Sequence, residues 1–180
     1  MTTAPRPVVR PRRDDDVPAL VDTLARQQAA SGYPHRWPLP FPAREFVVRA
    51  AEVAAWCALV DGEPVGHVCV QRVRGTATGP DAEPLAAAWS AGHARPVDEL
   101  RAVSALFTAE HVRGTGVGGL LLDTAVAWVR AQGLAPCLDV VQGPSPALAI
   151  YRHRGWREVG RVRPAWLEDD VPPVVAMILP

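Results

Sequence analysis

The chain has 180 residues, 48% of them hydrophobic and 21% charged, a composition that indicates a globular protein and excludes an intrinsically disordered one. Its 19 Lys and Arg balance its 19 Asp and Glu, and this zero net charge argues against a nucleic-acid partner, which usually requires a basic excess. No apolar run reaches the roughly 18 to 20 residues of a membrane span. The length predicts one domain over residues 1–180.

In chain order, the apolar periodicity and the turn and cap signals predict first a strand and two helices, then a hairpin and a short helix. These elements are a strand at 8–10, a helix capped by Asp16 and ended by Gly32, an irregular proline-rich loop at 32–42, a helix at about 43–51, a hairpin of strands 55–60 and 65–70, and a short helix within 83–93. The second half is predicted to contain a strand at 99–108, a helix at about 117–132, a strand at 136–141, a helix opened by Ser145 that ends before Gly155, and strands at 156–162 and 174–179. This order predicts a mixed α/β fold.

The three cysteines, Cys57, Cys69 and Cys137, are scattered through apolar segments. This placement predicts buried, reduced thiols in a cytoplasmic protein. The N-terminal segment lacks the apolar core of a secretory signal, and no CxxC or HExxH spacing occurs, so no metal site is predicted.

A glycine-rich turn lies between the strand predicted at 99–108 and the amphipathic helix that follows. Residues 110–119 read EHVRGTGVGG, and glycine permits both positive φ angles and close approach of a ligand to the backbone. The first amide groups of a helix have no intrahelical acceptor and lie at the positive end of its dipole. With Arg113 adding a cation, the segment predicts a site for a phosphate or pyrophosphate. Tight helix-to-strand packing is the plainer interpretation, but it does not require four glycines behind an arginine.

Residues 114–119 also fit the GxGxxG pattern of a nicotinamide-dinucleotide site. Asp139, twenty positions after Gly119, is where a ribose-binding carboxylate would be sought. Three features argue against this alternative: residues 109–113 separate the strand from the turn, Asp139 lies inside a predicted strand, and only about sixty residues follow the turn.

The turn resembles the central motif of the GNAT N-acetyltransferase family, which reads Q/R-x-x-G-x-G/A. Here the motif is RGTGVG at 113–118, and ALAIYRHRGW at 147–156 is similar to the family's A-x-x-x-Y-x-x-x-G-F/W. The resemblance covers about residues 99–160. It implies a single-domain GNAT fold with a mixed central sheet of about six or seven strands, splayed at the cofactor cleft, and helices on both faces.

The resemblance further implies that acetyl-CoA binds between two splayed parallel strands, at 103–108 and 137–141. The pantetheine arm would pair with main-chain groups of β-strand residues 106 and 108, as an added strand does. The N–H of Leu106 is the candidate donor for the thioester carbonyl and the tetrahedral oxyanion. The implied cofactor-binding residues are Leu106, Phe107, Thr108, Arg113, Gly114, Thr115, Gly116, Val117, Gly118 and Gly119.

Tyr151 corresponds to the tyrosine that, in this family, lies near the cofactor sulfur and protonates the departing thiolate. A phenol with a pKa of about 10 can supply that proton. The plainer interpretation is an aromatic packed on the inner face of its helix. The sequence departs from the family at Pro144, where an asparagine often contacts the pantetheine, and Ser145 or Gln142 are the available substitutes.

An amine attacks only in its neutral form, so a carboxylate or an ordered water must take its proton. The candidates are Glu99, at the start of the strand that leads to the thioester, and Asp139, which aligns with a catalytic glutamate of some relatives. A structural interpretation is favoured for both: a solvated strand end for Glu99 and a hydrogen-bonded strand carboxylate for Asp139. His67 is interpreted as a satisfied core histidine rather than a group on the acceptor side.

The least patterned segments, 33–37 and 166–170, are the candidate walls of an acceptor pocket. The leading hypothesis is a cytoplasmic, metal-free N-acetyltransferase that moves an acetyl group from acetyl-CoA to a primary amine of a small molecule or peptide by direct attack. The alternative is a catalytically silent GNAT-like domain that binds acyl-CoA as a sensor. A homodimer is expected only because dimers are common in the family, and no membrane partner is expected.

Overall fold

The computed structural model describes residues 6–180, which form two compact units. The first contains the described residues up to Gln71 together with Val103–Trp128, and the second contains Arg72–Ala102 and Val129–Pro180. Seven strands and five α-helices make a mixed α/β fold with an open sheet, as the sequence predicts. The expectation of one domain over residues 1–180 stays a prediction.

The first unit is built on strands in the order β1-β2-β3-β4, in which β2 is antiparallel to both β1 and β3. Cys57 of β2 is opposite Arg10 of β1 on one side and His67 of β3 on the other. The hairpin between β2 and β3 turns at Asp61 and Gly62, which both have positive φ. The elements are β1 (Val8–Pro11), α1 (Val17–Ser31), α2 (Ala43–Val47), β2 (Glu52–Val60), β3 (Glu63–Arg72), β4 (Leu100–Thr108) and α4 (Val117–Ala131), the last two extending into the second unit.

Alternating side chains give the two faces of β3 different neighbours within this unit. Cys69 belongs to a core cluster that contains Leu20 and Leu24 of α1. Gly66 points the other way, where a Cβ atom would come within 2.9 Å of the Leu121 side chain of α4, so glycine leaves room for this side chain against the strand. One face of the first unit's strands is therefore covered by α1, and the opposite face by α4.

The second unit pairs its strands in the order β4-β5-β7-β6. Leu100–Ala102 of β4 run parallel to Ala135–Cys137 of β5, whereas β7 is antiparallel to both of its neighbours. Trp89 of α3 is buried in the core of this unit and donates its indole N–H to the Leu138 carbonyl at 3.0 Å. The elements are α3 (Pro84–His93), β5 (Ala135–Val140), α5 (Ala147–His153), β6 (Arg157–Val162) and β7 (Val174–Ile178).

One predicted helix cap and one predicted helix end are wrong. Asp16 is the residue before α1, as predicted, but its side chain does not cap the helix, because its carboxylate accepts two hydrogen bonds from the Arg10 guanidinium, both 2.7 Å, and one from the Arg13 N–H. The paired, charge-assisted hydrogen bonds from Arg10 hold the pKa of Asp16 below its usual value. The predicted helix at 43–51 ends at Val47, because Val48 is already extended and β-branched residues favour that conformation.

All three cysteines are buried and unpaired, as predicted. Burial raises the pKa of the Cys57 and Cys69 thiols to about 12. Between residues 6 and 180, none of the helices has the length and apolarity that crossing a bilayer requires.

Candidate functional site

The glycine-rich turn leaves β4 at Thr108 and enters α4 at Val117, as the sequence predicts. Gly114 and Gly116 have φ angles of 77° and 92°, which residues other than glycine rarely adopt. Nothing lies within 4 Å of a Cβ atom added at either position. The glycines are thus required by backbone conformation and leave open space in front of the turn.

The amide groups of the turn fall into two sets. The N–H of Arg113 donates to the Glu110 carbonyl at 3.1 Å and that of Thr115 to the Val112 carbonyl at 3.3 Å, so both are used inside the turn. Four other amide groups donate to no acceptor within residues 6–180, and these belong to Gly114, Gly116, Val117 and Gly118. Unpartnered donors at the start of a fifteen-residue helix are the arrangement on which the predicted anion site depends, and that site stays a prediction.

The side chain of Arg113 has a partner that the sequence did not reveal. Its guanidinium donates to Gln27 of α1, to the side-chain oxygen at 2.9 Å and to the carbonyl at 3.3 Å. Gln27 is buried and donates in turn to the carbonyls of Leu24 and Tyr33. Arg113 therefore ties the turn to the end of α1, and its predicted contact with a bound anion stays a prediction.

The predicted pantetheine strand lies beside the turn within the first unit. Leu106 and Thr108 are half-buried, whereas Phe107 between them is in the core. The Thr108 methyl group is 3.7 Å from a Cβ atom built at Gly118, in the first turn of α4. The structure therefore brings together two of the predicted groups, residues 106–108 and the amide groups of 114–118.

Ala105, just before this segment, has a left-handed backbone with φ 49°, a feature the sequence does not signal. Its carbonyl lies 2.8 Å from Nδ1 of His67 on β3. Nε2 of the same ring is 3.0 Å from the Arg12 guanidinium, which is ion-paired with Glu52. His67 is fully buried and satisfied, which confirms its interpretation as a core histidine.

Acidification is expected to destabilise the protein through His67. Burial lowers the pKa of its imidazole from 6.5 to about 3, so between these pH values the unfolded chain binds a proton that the folded chain does not. The stabilisation is complete above pH 6.5 and decreases below it by up to about 1.4 kcal/mol per pH unit. Urea unfolding at pH 7 and pH 5 should show a loss on the order of 2 kcal/mol from this group. The variant His67→Gln should lack that loss, and equal losses in both proteins would contradict the assignment.

Tyr151 and Asp139 come close together in the second unit. The Tyr151 ring, on α5, packs edge-on against Trp156 with centroids 5.9 Å apart. Its hydroxyl group has no hydrogen-bond partner in the described part of the chain. Burial, and to a lesser degree the Asp139 carboxylate, raise the pKa of Tyr151 to about 12. The phenol is therefore fully protonated at neutral pH, as a general acid must be.

Glu99 lies on a short 3₁₀ turn that precedes β4 rather than on the strand itself, because β4 begins at Leu100. Its carboxylate is 2.7 Å from the Arg95 guanidinium, and both side chains are exposed. Glu99 is thus a partnered surface carboxylate, and its assignment as a base stays a prediction.

The suggested substitutes for the missing asparagine at Pro144 are both engaged within the second unit. The Gln142 amide donates to the Pro173 carbonyl at 2.6 Å, and the Ser145 hydroxyl accepts the Ala147 N–H at 3.2 Å. Of the candidate acceptor segments, Trp37 in the first unit and Trp166 in the second are both exposed. No group of three or more His, Cys, Asp or Glu side chains suited to a metal ion occurs among residues 6–180.

The chain is similar to known proteins in both sequence and fold. The sequence model that describes the Acetyltransferase (GNAT) family matches residues 19–156 of this chain. Among curated proteins, no sequence matches the chain.

Three solved structures illustrate the similarity of fold. The ribosomal-protein-S18-alanine N-acetyltransferase from Escherichia coli has a TM-score of 0.65 at 15% identity, over 97% of this chain and 94% of that chain. NAA60 from Arabidopsis thaliana, in complex with a bisubstrate analogue, has a TM-score of 0.66 at 17% identity over 96% of each chain. A histone acetyltransferase HPA2 and related acetyltransferase from Corynebacterium glutamicum has a TM-score of 0.64 at 22% identity, over 99% of this chain and 97% of that chain. These similarities confirm the predicted fold class.

Proposed function

Because the chain belongs to the acetyltransferase (GNAT) family, we propose that it transfers an acetyl group from acetyl-CoA to a primary amine by direct attack. The observation that carries the proposal is the set of four unpartnered amide groups at Gly114, Gly116, Val117 and Gly118. A pyrophosphate needs several donors at hydrogen-bond distance, and the open space in front of these glycines admits it. The residues present therefore fit the cosubstrate.

Residues 106–108 are proposed to hold the pantetheine arm of the cosubstrate. They are half-buried or buried, they adjoin the turn through Thr108, and an extended ligand pairs with an extended strand. When bound, acetyl-CoA supplies an activated acyl group as a thioester. The Leu106 N–H is proposed as the donor that stabilises negative charge on the thioester oxygen.

Tyr151 is proposed as the general acid for the departing thiolate. Its hydroxyl group is not committed to another acceptor within residues 6–180, and its raised pKa keeps the proton in place until a strongly basic atom develops nearby. The edge-on contact with Trp156 fixes the ring. Asp139 holds its negative charge near this phenol, which supports its protonated form.

The base that deprotonates the incoming amine is proposed to be Asp139, Glu99, which is ion-paired with Arg95, or an ordered water. The acceptor is proposed to be a small-molecule or peptide amine. Two of the similar structures are named for ribosomal-protein alanine and histone acetylation, which supports including peptides. We further propose that the enzyme acts in the cytoplasm without a metal.

The proposal is tested by combining binding and turnover measurements on the purified protein. Calorimetry should detect binding of both CoA and acetyl-CoA, and a thiol-release screen should detect free CoA when a suitable amine is added. The amine panel should include polyamines, aminoglycosides, lysine peptides and peptides with free N-termini. Binding without thiol release from any amine would favour the silent sensor, and no binding of either thiol form would refute the proposal.

A further inference from the structure

The most unusual backbone position in the first unit is Ala105, in the middle of β4. Its φ of 49° is left-handed, a conformation that is strained for an L-residue. Such strain persists only where surrounding contacts impose it, and it is concentrated at functional sites. The carbonyl of this residue is held by a hydrogen bond with Nδ1 of His67.

The direction of that hydrogen bond follows from the neighbours of His67. Arginine can only donate, so Nε2, 3.0 Å from the Arg12 guanidinium, must be the acceptor. Nδ1 therefore carries the proton and donates it to the Ala105 carbonyl. Arg12 is itself fixed by Glu52, at 2.6 and 2.9 Å, and by the Val47 carbonyl at 2.8 Å. The donor at Nδ1 is thus locked in both tautomer and position.

The same hydrogen bond sets the direction of the next amide group. The peptide bond between Ala105 and Leu106 is trans and planar, so its carbonyl and its N–H point in opposite directions. The carbonyl points toward the imidazole, which lies on the face of the sheet that also holds the Phe107 ring, 5.5 Å from His67. The Leu106 N–H consequently points away from the His67 imidazole.

The opposite face is the one on which the glycine-rich turn enters α4. Gly66, next to His67 on β3, points to that face and would place a Cβ atom 2.9 Å from Leu121 and 3.3 Å from the Thr108 methyl. Thr108 in turn adjoins Gly118. The Leu106 N–H, which points away from His67, therefore lies two residues before the position where the strand adjoins the turn and its unpartnered amide groups.

We propose that His67 is a positioning residue for acetyl transfer, holding the Ala105 carbonyl so that the Leu106 N–H is aimed at the thioester oxygen. This inference rests on the proposed function, since it assigns the residue that sets up the donor invoked there. A hydrogen bond accepted by a peptide carbonyl also polarises the peptide and strengthens its N–H as a donor. His67 acts through Leu106 and does not touch the reacting atoms.

Two amide substitutions at His67 separate positioning from packing. In His67→Asn the side-chain amide occupies the place of Nδ1 and can still donate to Ala105, whereas in His67→Gln it occupies the place of Nε2 and faces Arg12. Both variants keep one buried amide, so similar losses of stability are expected. With an amine from the thiol-release screen, kcat should fall by about 10²-fold in His67→Gln, the effect of losing one oxyanion donor, and by only a few-fold in His67→Asn. The Kd of CoA, which has no acetyl carbonyl, should be unchanged in both.

A spectroscopic measurement gives a readout that a purely structural role would not move. Acetyl-CoA labelled with ¹³C at the thioester carbonyl should show a lower carbonyl stretching frequency when bound to the wild type or His67→Asn than when bound to His67→Gln. If His67→Gln does not fold, the wild type still gives a test by NMR. The His67 Nδ1–H and Leu106 N–H resonances should both shift when acetyl-CoA replaces CoA.

The outcomes distinguish this inference from the function on which it rests. A wild-type protein that binds no acetyl-CoA refutes the proposed function, and the inference with it. A wild-type protein that binds and turns over, together with equal kcat in the Asn and Gln variants, overturns the inference alone. Equal carbonyl frequencies in the two variants, or an unmoved His67 resonance, also overturn it.

Discussion

Gly116→Asp is expected to lower the affinity for acetyl-CoA by about three orders of magnitude. Gly116 is one of the four positions whose amide groups are unpartnered, and the space in front of it is open. A carboxylate there would lie beside the diphosphate, and two unit charges about 4 Å apart at an effective dielectric constant near 20 repel by about 4 kcal/mol. That energy corresponds to roughly 10³-fold in Kd. The new side chain would also cap the neighbouring helix amides itself.

Gly79→Asp is a matched control for this substitution. Gly79 has φ 89°, close to the 92° of Gly116, and nothing lies within 4 Å of an added Cβ atom. Backbone strain and added charge are therefore the same, but the residue lies outside the turn. Calorimetry with CoA and acetyl-CoA should show an unchanged Kd for Gly79→Asp. Undiminished affinity in Gly116→Asp would show that the anion site is wrongly placed.

Tyr151→Phe is expected to lower kcat by about 10²-fold while the Kd of acetyl-CoA stays nearly constant. The substitution removes the hydroxyl proton but keeps the ring that packs against Trp156. Because the pKa of Tyr151 is raised to about 12, the wild type should not lose activity through this group below about pH 10. Steady-state kinetics from pH 7 to pH 10 measure both effects.

The leaving group provides the control for the Tyr151 assignment. A selenoester analogue of acetyl-CoA releases a much less basic anion, so its transfer depends less on a proton donor. The ratio of wild-type to Tyr151→Phe rates should therefore be smaller for the selenoester than for the thioester. An unchanged kcat with acetyl-CoA, or equal ratios for the two donors, would remove Tyr151 from the reaction.

The alternative of a nicotinamide-dinucleotide site fits the GxGxxG pattern of the sequence but does not fit the observed strands and helices. Residues 109–116 separate the end of β4 from the start of α4, whereas a dinucleotide turn begins directly at the strand. Asp139 lies within β5, where it is paired opposite Ala176 of β7. Two of the three arguments made from the sequence against this alternative thus hold in the structure.

Local signals were enough for the order of elements and for the conformation of the glycine-rich turn. The hairpin turn at Asp61 and Gly62, the helix stop at Gly32 and the turn at Gly114–Gly119 depend on the φ angles of a few adjacent residues. Glycine and turn formers determine such angles directly, so neighbouring residues suffice to predict them. The bend within 113–118 was predictable for the same reason, whereas anion binding by its amide groups stays a prediction.

Contacts between distant segments, in contrast, were decided only by the tertiary structure. Asp16 binds Arg10 instead of capping α1, Arg113 reaches Gln27 across 86 residues of chain, and His67 holds Ala105 across 38. A charged or polar side chain has several possible hydrogen-bond partners of similar strength. The choice among them depends on which segments packing brings within about 3 Å. The amino-acid sequence by itself therefore determined where the backbone of the site can bend, whereas folding determined which side chains hold it in that shape.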